Sequence, residues 1–174
     1  MDDVNGTGEA KAGGSPKPED ATKTGEPPKN PVELKPVKYV NNNPKATADE
    51  IRIGEMLNER AQTGKLSNVD SVEGAIEIPG KRSGDYRFNH TDKSRTSADL
   101  YQPESGNPDS IWGNIIEKGG QAETVIVELG KGKSGSISYE AAADMANAVV
   151  NQPATSIKRI IVIKNGRIIF DTTN

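Results

Sequence analysis

The sequence predicts a mixed α/β (α+β) fold, in which helices flank an open sheet or a sandwich. Strand-like segments are grouped between helix-like ones, in the order α, β, β, β, α, β, α, β, β, and no β-α-β unit is repeated. The chain closes with two β-branched runs joined by Asn165-Gly166, a dipeptide typical of β-hairpins. Only 32% of the 174 residues are apolar and 4% aromatic, which is too few to pack a core along the whole chain.

The shortage of apolar residues is greatest in the first 44 residues. They hold 7 of the 11 prolines and 5 of the 18 glycines, and Tyr39 is their only aromatic side chain. A segment of this kind buries too little apolar surface to offset the entropy lost on ordering its backbone. We therefore predict a disordered Pro/Gly-rich linker over residues 1–44 and one domain over residues 45–174.

The domain begins with a predicted helix over residues 48–60. Thr47 precedes Glu50 by three residues, which is the spacing of a capping box. The polar residues 61–73 predict a loop. Three short strands are then expected where apolar residues alternate and turn dipeptides intervene, over residues 74–78, 85–89 and 98–101.

The second half of the domain begins with a helix that Asp109 can cap and that ends at Gly119-Gly120. Its apolar face is formed by isoleucines and the only tryptophan. The elements expected after it are a central strand over 123–129, a helix over 139–150 capped by Ser138, and the hairpin strands 158–164 and 167–170.

Composition excludes several classes of function. The chain has no cysteine, so it cannot form disulfides, a zinc knuckle, an iron–sulfur cluster or a thiol nucleophile. No apolar run approaches the roughly 18–20 residues that cross a bilayer, and the N-terminus has no signal-peptide pattern. Residues 45–174 carry 16 basic and 18 acidic side chains, which argues against a general polyanion binder.

Gly132-Lys133-Ser134 lies between a predicted strand and a predicted helix, where a phosphate-binding loop would lie. That motif needs a glycine five positions before Gly132, and Val127 is found there, inside the strand. We therefore predict a flexible turn at this position.

A locally basic stretch over residues 81–95 contains five bases and two acids. It includes His90, the only histidine of the chain. A lone histidine is more often a surface or hydrogen-bonded residue than a catalyst. A metal-independent ribonuclease could nevertheless use His90 as a general base, with Lys93 or Arg95 beside it, and this stays as an alternative.

The acidic residues offer a second kind of site. Asp85 opens one predicted strand, Asp99 lies in the next, and Lys118 ends the helix that follows. Two carboxylates on paired strands can bind Mg²⁺ or Mn²⁺, and a nearby lysine can hold water or a phosphate oxygen. Asp99 is the stronger candidate, because a carboxylate inside an apolar strand needs a partner. Glu50 is accounted for by the capping box without any chemistry.

The sequence from Ser97 onward resembles a known family. The segments SADLYQP, SGNPDSIWGNIIEKGGQAETVIVEL and IKRIIVIKNGRIIF are similar to the C-terminal tRNase domain of CdiA-type contact-dependent growth inhibition toxins. The resemblance covers about 75 residues and extends more loosely to the first helix.

This resemblance implies a PD-(D/E)xK-type, restriction-endonuclease-like core, with a mixed sheet flanked by helices and a C-terminal β-hairpin. It also implies a metal-dependent nuclease that cuts tRNA in a target bacterium, with Mg²⁺, Mn²⁺ or Zn²⁺ as cofactor. Asp85 and Asp99 match the metal-binding strand acids of such a site. The catalytic residues that it implies are Glu50, Asp85, Asp99 and Lys118.

The sequence departs from the family pattern at two places. The link between the two strand acids is longer than usual, and Gln102 stands where a lysine is expected, so Lys118 has to take its role. The resemblance and the basic stretch together imply substrate contacts from Gln121, Arg87, Lys93, Arg95 and His90.

The resemblance further implies that the domain is secreted as part of a larger delivery protein and reaches the cytoplasm of the target cell. Its expected partners are tRNA, the parent protein and a cognate immunity protein. The third alternative is a non-enzymatic adhesion or interaction module tethered by the Pro/Gly-rich linker.

Overall fold

The computed structural model describes residues 36–76, 78 and 83–173. These residues form seven strands and three α-helices, and a short 3₁₀ turn (Gly132–Ser136) precedes the last helix. In chain order they are β1 (Val40–Asn41), α1 (Ala48–Gln62), β2 (Val69–Gly74), β3 (Tyr86–His90), β4 (Arg95–Tyr101), α2 (Pro108–Lys118), β5 (Thr124–Leu129), α3 (Tyr139–Val150), β6 (Arg159–Lys164) and β7 (Arg167–Asp171).

The seven strands form one mixed sheet in which their spatial order equals their order along the chain. Strands β2, β3 and β4 are antiparallel neighbours, β4, β5 and β6 are parallel, and β7 returns antiparallel to β6. The three parallel connections, β1–β2, β4–β5 and β5–β6, contain α1, α2 and α3, as a parallel crossover requires. The mixed α/β fold predicted from the sequence is confirmed, whereas the PD-(D/E)xK-type core stays an expectation.

The core lies on both faces of the sheet. All six residues of β5 are buried, and successive side chains alternate between the faces. Val125 and Val127 face α2 and α3, whereas Ile126 lies in the cluster formed with α1. Burial on both faces explains why the sequence of β5 is continuously apolar and β-branched rather than alternating.

The N-terminal part of the described chain packs against α1 and β2. Strand β1 pairs in parallel with β2, and the Asn58 side-chain amide donates to the carbonyl of Val37 (2.8 Å). The Tyr39 ring lies against Gly54, where any side chain would overlap it. These contacts place ordered structure inside the predicted linker, whose residues 1–35 lie outside the described part.

Several local predictions are confirmed. Thr47 and Glu50 form the capping box of α1, Ser138 caps α3, and the hairpin turn has positive φ angles of 52° at Asn165 and 69° at Gly166. The three residues Gly132-Lys133-Ser134 begin the 3₁₀ turn, as expected of a turn rather than a phosphate-binding loop.

Other local predictions are wrong. The segment 61–73, predicted as a loop, contains most of β2, whereas residues 75, 76 and 78 of the predicted strand 74–78 are outside any strand. The two apolar residues of β2, Val69 and Val72, are three positions apart, so the sequence lacks the strict alternation that predicts a strand. Pairing with β3 stabilises this segment as a strand. The cap of α2 is Asn107 rather than Asp109, because Pro108 occupies the first helical position.

Candidate active site

Asp85 and Asp99 lie opposite each other where β3 begins. The antiparallel register pairs Tyr86 with Ala98, so the next position outward brings residues 85 and 99 side by side. Directly opposed residues of this kind have Cβ atoms about 5 Å apart. One Asp85 carboxylate oxygen also accepts a hydrogen bond from the backbone N–H of Leu100 (2.7 Å). The sequence prediction that these two acids converge is therefore matched by their placement in the structure.

Lys118, the last residue of α2, lies next to Asp99. Its ammonium forms an ion pair with the Asp99 carboxylate. The Asp99 side chain is almost fully buried, at 7% exposure, whereas that of Lys118 is 26% exposed. A buried carboxylate needs a partner of this kind, so the ion pair accounts for an aspartate inside an apolar strand.

The two acids differ in their electrostatic environment. Burial, together with the nearby carboxylates of Asp99 and Glu50, raises the pKa of Asp85 to about 7, although the Leu100 N–H opposes this shift. Lys118 supplies one positive charge, and it supplies it to Asp99. Among the described residues the pair therefore has one counter-charge for two carboxylates, and a proton on Asp85 can compensate for the other at neutral pH.

Glu50 lies beside this pair while it caps α1. Its carboxylate accepts from the Thr47 backbone N–H (2.7 Å), and its own N–H donates to the Thr47 hydroxyl (3.2 Å). The Tyr86 hydroxyl donates to the Glu50 carbonyl (2.8 Å), which ties the first turn of α1 to β3. The structural role of Glu50 is thus visible, and its charge still acts on Asp85.

Three of the predicted phosphate contacts lie far from the acids. His90, Lys93 and Arg95 are at the turn between β3 and β4, four or more residues along the hairpin from Asp85, since Arg95 pairs with Asn89. At the rise of a strand, four residues span about 13 Å. The structure does not bring these three bases next to the carboxylates, since a hairpin places its turn at the opposite end from its open strands, and their contact with a substrate stays a prediction. Lys81 and Arg82 lie outside the described residues.

His90 has both ring nitrogens engaged. Nδ1 lies 2.9 Å from the Asn68 carbonyl and Nε2 lies 2.7 Å from the Thr96 hydroxyl. A carbonyl can only accept, so Nδ1 carries a proton and Nε2 of the neutral ring accepts from Thr96. This arrangement suits a residue that fixes the hairpin turn and leaves no free nitrogen for a general base.

The remaining two predicted contacts lie nearer the acids. Arg87 is on the same face of β3 as Asp85, two residues along, and its guanidinium pairs with Glu73 (3.3 Å). Gln121 is exposed three residues after Lys118, and its backbone N–H donates to the Lys118 carbonyl (2.7 Å). Both are within the reach of an extended substrate that occupies the acid pair.

The sequence analysis missed two residues next to Lys118. The Lys118 ammonium lies 5.8 Å from the centre of the Tyr101 ring, and the Asn114 amide donates to the Tyr101 hydroxyl (2.8 Å). Tyr101 stands two residues after Asp99, and Asn114 stands four residues before Lys118. These spacings, which put each pair on one face of its element, were the available signal.

A second polar cluster that the sequence analysis missed lies at the carboxyl ends of β4 and β5. The buried Glu128 carboxylate binds Arg52 through both oxygens (2.7 and 2.9 Å) and accepts from Gln102 (2.6 Å). Lys131 in turn donates to Gln102 and to Asp49, both at 2.7 Å. The two acids and two bases neutralise each other, so the cluster holds α1 against the sheet.

A divalent cation fits the acid pair by its donor chemistry. Asp85 and Asp99 would hold it, because oxygen ligands suit Mg²⁺ and the part of the chain that the structure describes gives the pair one counter-charge for two carboxylates. Over residues 36–76, 78 and 83–173, no group of three or more acidic or imidazole side chains is close enough to bind a metal. Two carboxylates are nevertheless the usual protein contribution to a Mg²⁺ site that substrate phosphates complete.

None of the described helices is both long enough and apolar enough to span a membrane. Among known families, residues 94–169 match the contact-dependent growth inhibition CdiA C-terminal domain. The match includes Asp99, Lys118 and Gln121 and begins after Asp85 and Glu50. Neither a curated protein nor a solved structure matches the chain.

Proposed function

We propose that this chain is a toxin domain of a contact-dependent growth inhibition protein and acts as a metal-dependent nuclease that cleaves tRNA, because residues 94–169 match the contact-dependent growth inhibition CdiA C-terminal domain. In this proposal the chain is part of a larger secreted CdiA protein, and the domain acts in the cytoplasm of the cell that receives it; the match over residues 94–169 supports this. A cognate immunity protein would protect the producing cells by covering the site.

The observation that carries this proposal is the convergence of Asp85, Asp99 and Lys118. Two opposed carboxylates with a lysine on one of them are the parts that hydrolysis of a phosphodiester needs. They come from three separate elements, so chance adjacency along the chain does not bring them together. The burial of Asp99 in the middle of the sheet gives the fold no benefit that an apolar residue would not give better.

Each residue has a defined task in this proposal. A divalent cation held by Asp85 and Asp99 would supply the Lewis acid that polarises the scissile phosphate and activates water. The Lys118 ammonium forms an ion pair with Asp99 and has three protons, of which those not used by Asp99 can donate to a phosphate oxygen. Gln121 and Arg87 flank these groups and would contact neighbouring phosphates.

Cleavage of bulk tRNA tests the proposal. The purified protein would be incubated with total bacterial tRNA in Mg²⁺, Mn²⁺, Zn²⁺ or EDTA, and the products separated on a denaturing gel. We expect discrete fragments with at least one cation and none with EDTA. Asp85→Asn, Asp99→Asn and Lys118→Met should each slow cleavage by about 10²-fold or more. Asp92→Asn, which changes an exposed acid at the β3–β4 turn, is the matched control and should cleave normally.

Two outcomes would contradict the proposal. Cleavage that persists in EDTA and in Asp99→Asn, but is lost in His90→Ala, would select the metal-independent ribonuclease. Absence of cleavage with every cation, combined with normal growth of bacteria that express the domain, would select the non-enzymatic interaction module.

Glu50 needs a substitution that separates its two roles. Glutamine retains the capping-box hydrogen bond to the Thr47 N–H but removes the charge. We propose that the Glu50 carboxylate belongs to the site, and we expect Glu50→Gln to leave the unfolding midpoint unchanged while it lowers cleavage at least about 10-fold. Cleavage at the wild-type rate would restrict Glu50 to its capping role.

A further inference from the structure

We propose that Tyr101 and Asn114 are positioning residues for Lys118 in the nuclease reaction, and this inference rests on the proposed function. Asp99 and Tyr101 are two residues apart on β4 and share one face of the sheet. Asn114 and Lys118 are four residues apart on α2 and share one face of the helix. The two faces meet, so four side chains form one connected group.

The contacts within this group form a chain that leads from Asn114 to Asp99. The Asn114 amide donates to the Tyr101 hydroxyl (2.8 Å), the Tyr101 ring lies under the Lys118 ammonium (5.8 Å), and the ammonium binds Asp99. Asn114 therefore orients the ring, and the ring in turn limits where the ammonium can lie. Neither the Tyr101 nor the Asn114 side chain hydrogen-bonds to Asp99, so both act through Lys118.

Lysine needs such support because its side chain is long and flexible. One ion pair leaves the ammonium free to swing about the Asp99 carboxylate, and its 26% exposure gives it room to do so. A ring face at this distance attracts the cation and restricts it from a second side. A catalytic group displaced by about 1 Å can lose about 10²-fold in rate, so this restriction matters for the chemical step.

The hydrogen bond between Asn114 and Tyr101 contributes little to the stability of the fold. Asn114 is exposed and Tyr101 only half-buried, and contacts between such groups are weak in water. A merely structural role would therefore be a poor reason for the arrangement. The expected signature is a loss of kcat with little change in KM or in the unfolding midpoint.

A double-mutant cycle on bulk tRNA cleavage tests this inference. We expect Tyr101→Leu to lower kcat by about 10–100-fold and Asn114→Ala by less, with KM unchanged. In a Lys118→Met background, Tyr101→Leu should have no further effect, because the residue it positions is gone. Tyr101→Phe keeps the ring and should retain most of the activity, and Asn114→Ala should then add nothing to it.

Matched controls come from α3. Tyr139→Leu removes an exposed tyrosine and Asn147→Ala an exposed asparagine, both away from the site, and both variants should cleave as the wild type does. If Tyr101→Leu cleaves normally, or if its effect multiplies with that of Lys118→Met, the inference fails while the nuclease stands. If the wild-type protein cleaves no tRNA under any condition, the proposed function fails and this inference fails with it.

Discussion

At the scale of single residues, the balance of charge around Asp85 dominates the behaviour of the site. Asp85 is partly buried, faces Asp99 and lies near Glu50. Within the described residues, the positive charge at this pair is that of Lys118, which binds Asp99. Its raised pKa means that the folded protein prefers Asp85 protonated when no cation is bound. A charged Asp85 therefore destabilises the fold when no cation is bound.

The raised pKa of Asp85 predicts that the free energy of unfolding depends on pH. Since the folded-state pKa of Asp85, about 7, exceeds its ordinary value of 3.8, its contribution is favourable below about pH 4 and is lost as the pH rises to about 7. Asp85→Asn cannot ionise, so without divalent cations it should exceed the wild type by about 2 kcal/mol in free energy of unfolding at pH 8. At pH 4 the two proteins should be nearly equal. Urea unfolding at a series of pH values measures the difference.

The control for this experiment is Asp92→Asn. Hydrogen bonds from Ser94 lower the pKa of the exposed Asp92, so its substitution should not stabilise the protein as the pH rises. A constant difference between the wild type and Asp85→Asn from pH 4 to pH 8 would contradict the raised pKa.

At the scale of elements, α1 shows how backbone space decides which segments pack together. The helix is tied to β5 through the ion pair of Arg52 with buried Glu128, and to the N-terminal segment through the slot at Gly54. The phenol ring of Tyr39 fills this slot, where burial and the carboxylates of Glu55, Glu50 and Asp85 raise the pKa of Tyr39 to about 12. The slot exists only because residue 54 has no side chain.

Two glycine-to-alanine substitutions should therefore have opposite signs. Gly113→Ala, in α2, places its methyl group in open space and should stabilise the protein by about 0.5–1 kcal/mol. Gly54→Ala, in α1, should expel the Tyr39 ring and destabilise by about 1–2 kcal/mol. In a Tyr39→Ala background, Gly54→Ala should become stabilising. Thermal unfolding of the four variants measures these changes in stability. A stabilising effect of Gly54→Ala in the wild-type background would contradict the overlap of its methyl group with the Tyr39 ring.

At the scale of the whole described domain, a buried ion pair joins segments that are distant in sequence. Arg159 of β6 binds Asp171 of β7 through two hydrogen bonds (3.0 and 2.6 Å) and also donates to the carbonyl of Ser67 before β2 (3.0 Å). Both side chains are under 10% exposed. The pair thereby connects the C-terminal hairpin with the first half of the sheet.

Breaking this pair should destabilise the entire domain. Asp171→Asn leaves the Arg159 charge buried without its partner, and we expect a loss of about 3–5 kcal/mol. Glu123→Gln breaks the Lys158 ion pair, in which the two side chains are 76% and 39% exposed, and should destabilise the protein far less, because water and salt screen an exposed pair. Guanidinium unfolding compares the two. Equal effects would show that burial does not set the strength of these pairs.

The domain boundary gives a further prediction at this scale. We propose that the linker extends only over residues 1–35, and that residues 36–44 belong to the folded unit because β1 and Tyr39 pack against α1 and β2. A chain that begins at residue 36 should unfold at the same temperature as the full chain. One that begins at residue 45 should unfold at a lower temperature, since the Asn58 amide loses its acceptor. Equal midpoints for both truncations would restore the boundary at residue 44.

The sequence by itself determined the elements whose signals are local. The Thr47–Glu50 capping box, the Ser138 cap and the Asn165-Gly166 turn each depend on residues within one turn of chain, and the structure has all three. The polar strand β2 and the short strand β1 could not be read in this way. Their stability comes from pairing with each other and with β3, which a single segment does not reveal.

The residues of the candidate site also differ in whether the sequence alone identified them. Asp85, Asp99 and Lys118 were found because the first two lie on strands predicted to be neighbours and the third ends the next helix. Only the tertiary structure decided that Lys118 binds Asp99 and that Tyr101 and Asn114 meet beside it. It also decided that His90, Lys93 and Arg95 lie at the far end of the hairpin. The physical reason is that spacing along a chain determines which face a residue occupies, whereas the register between elements determines which faces meet.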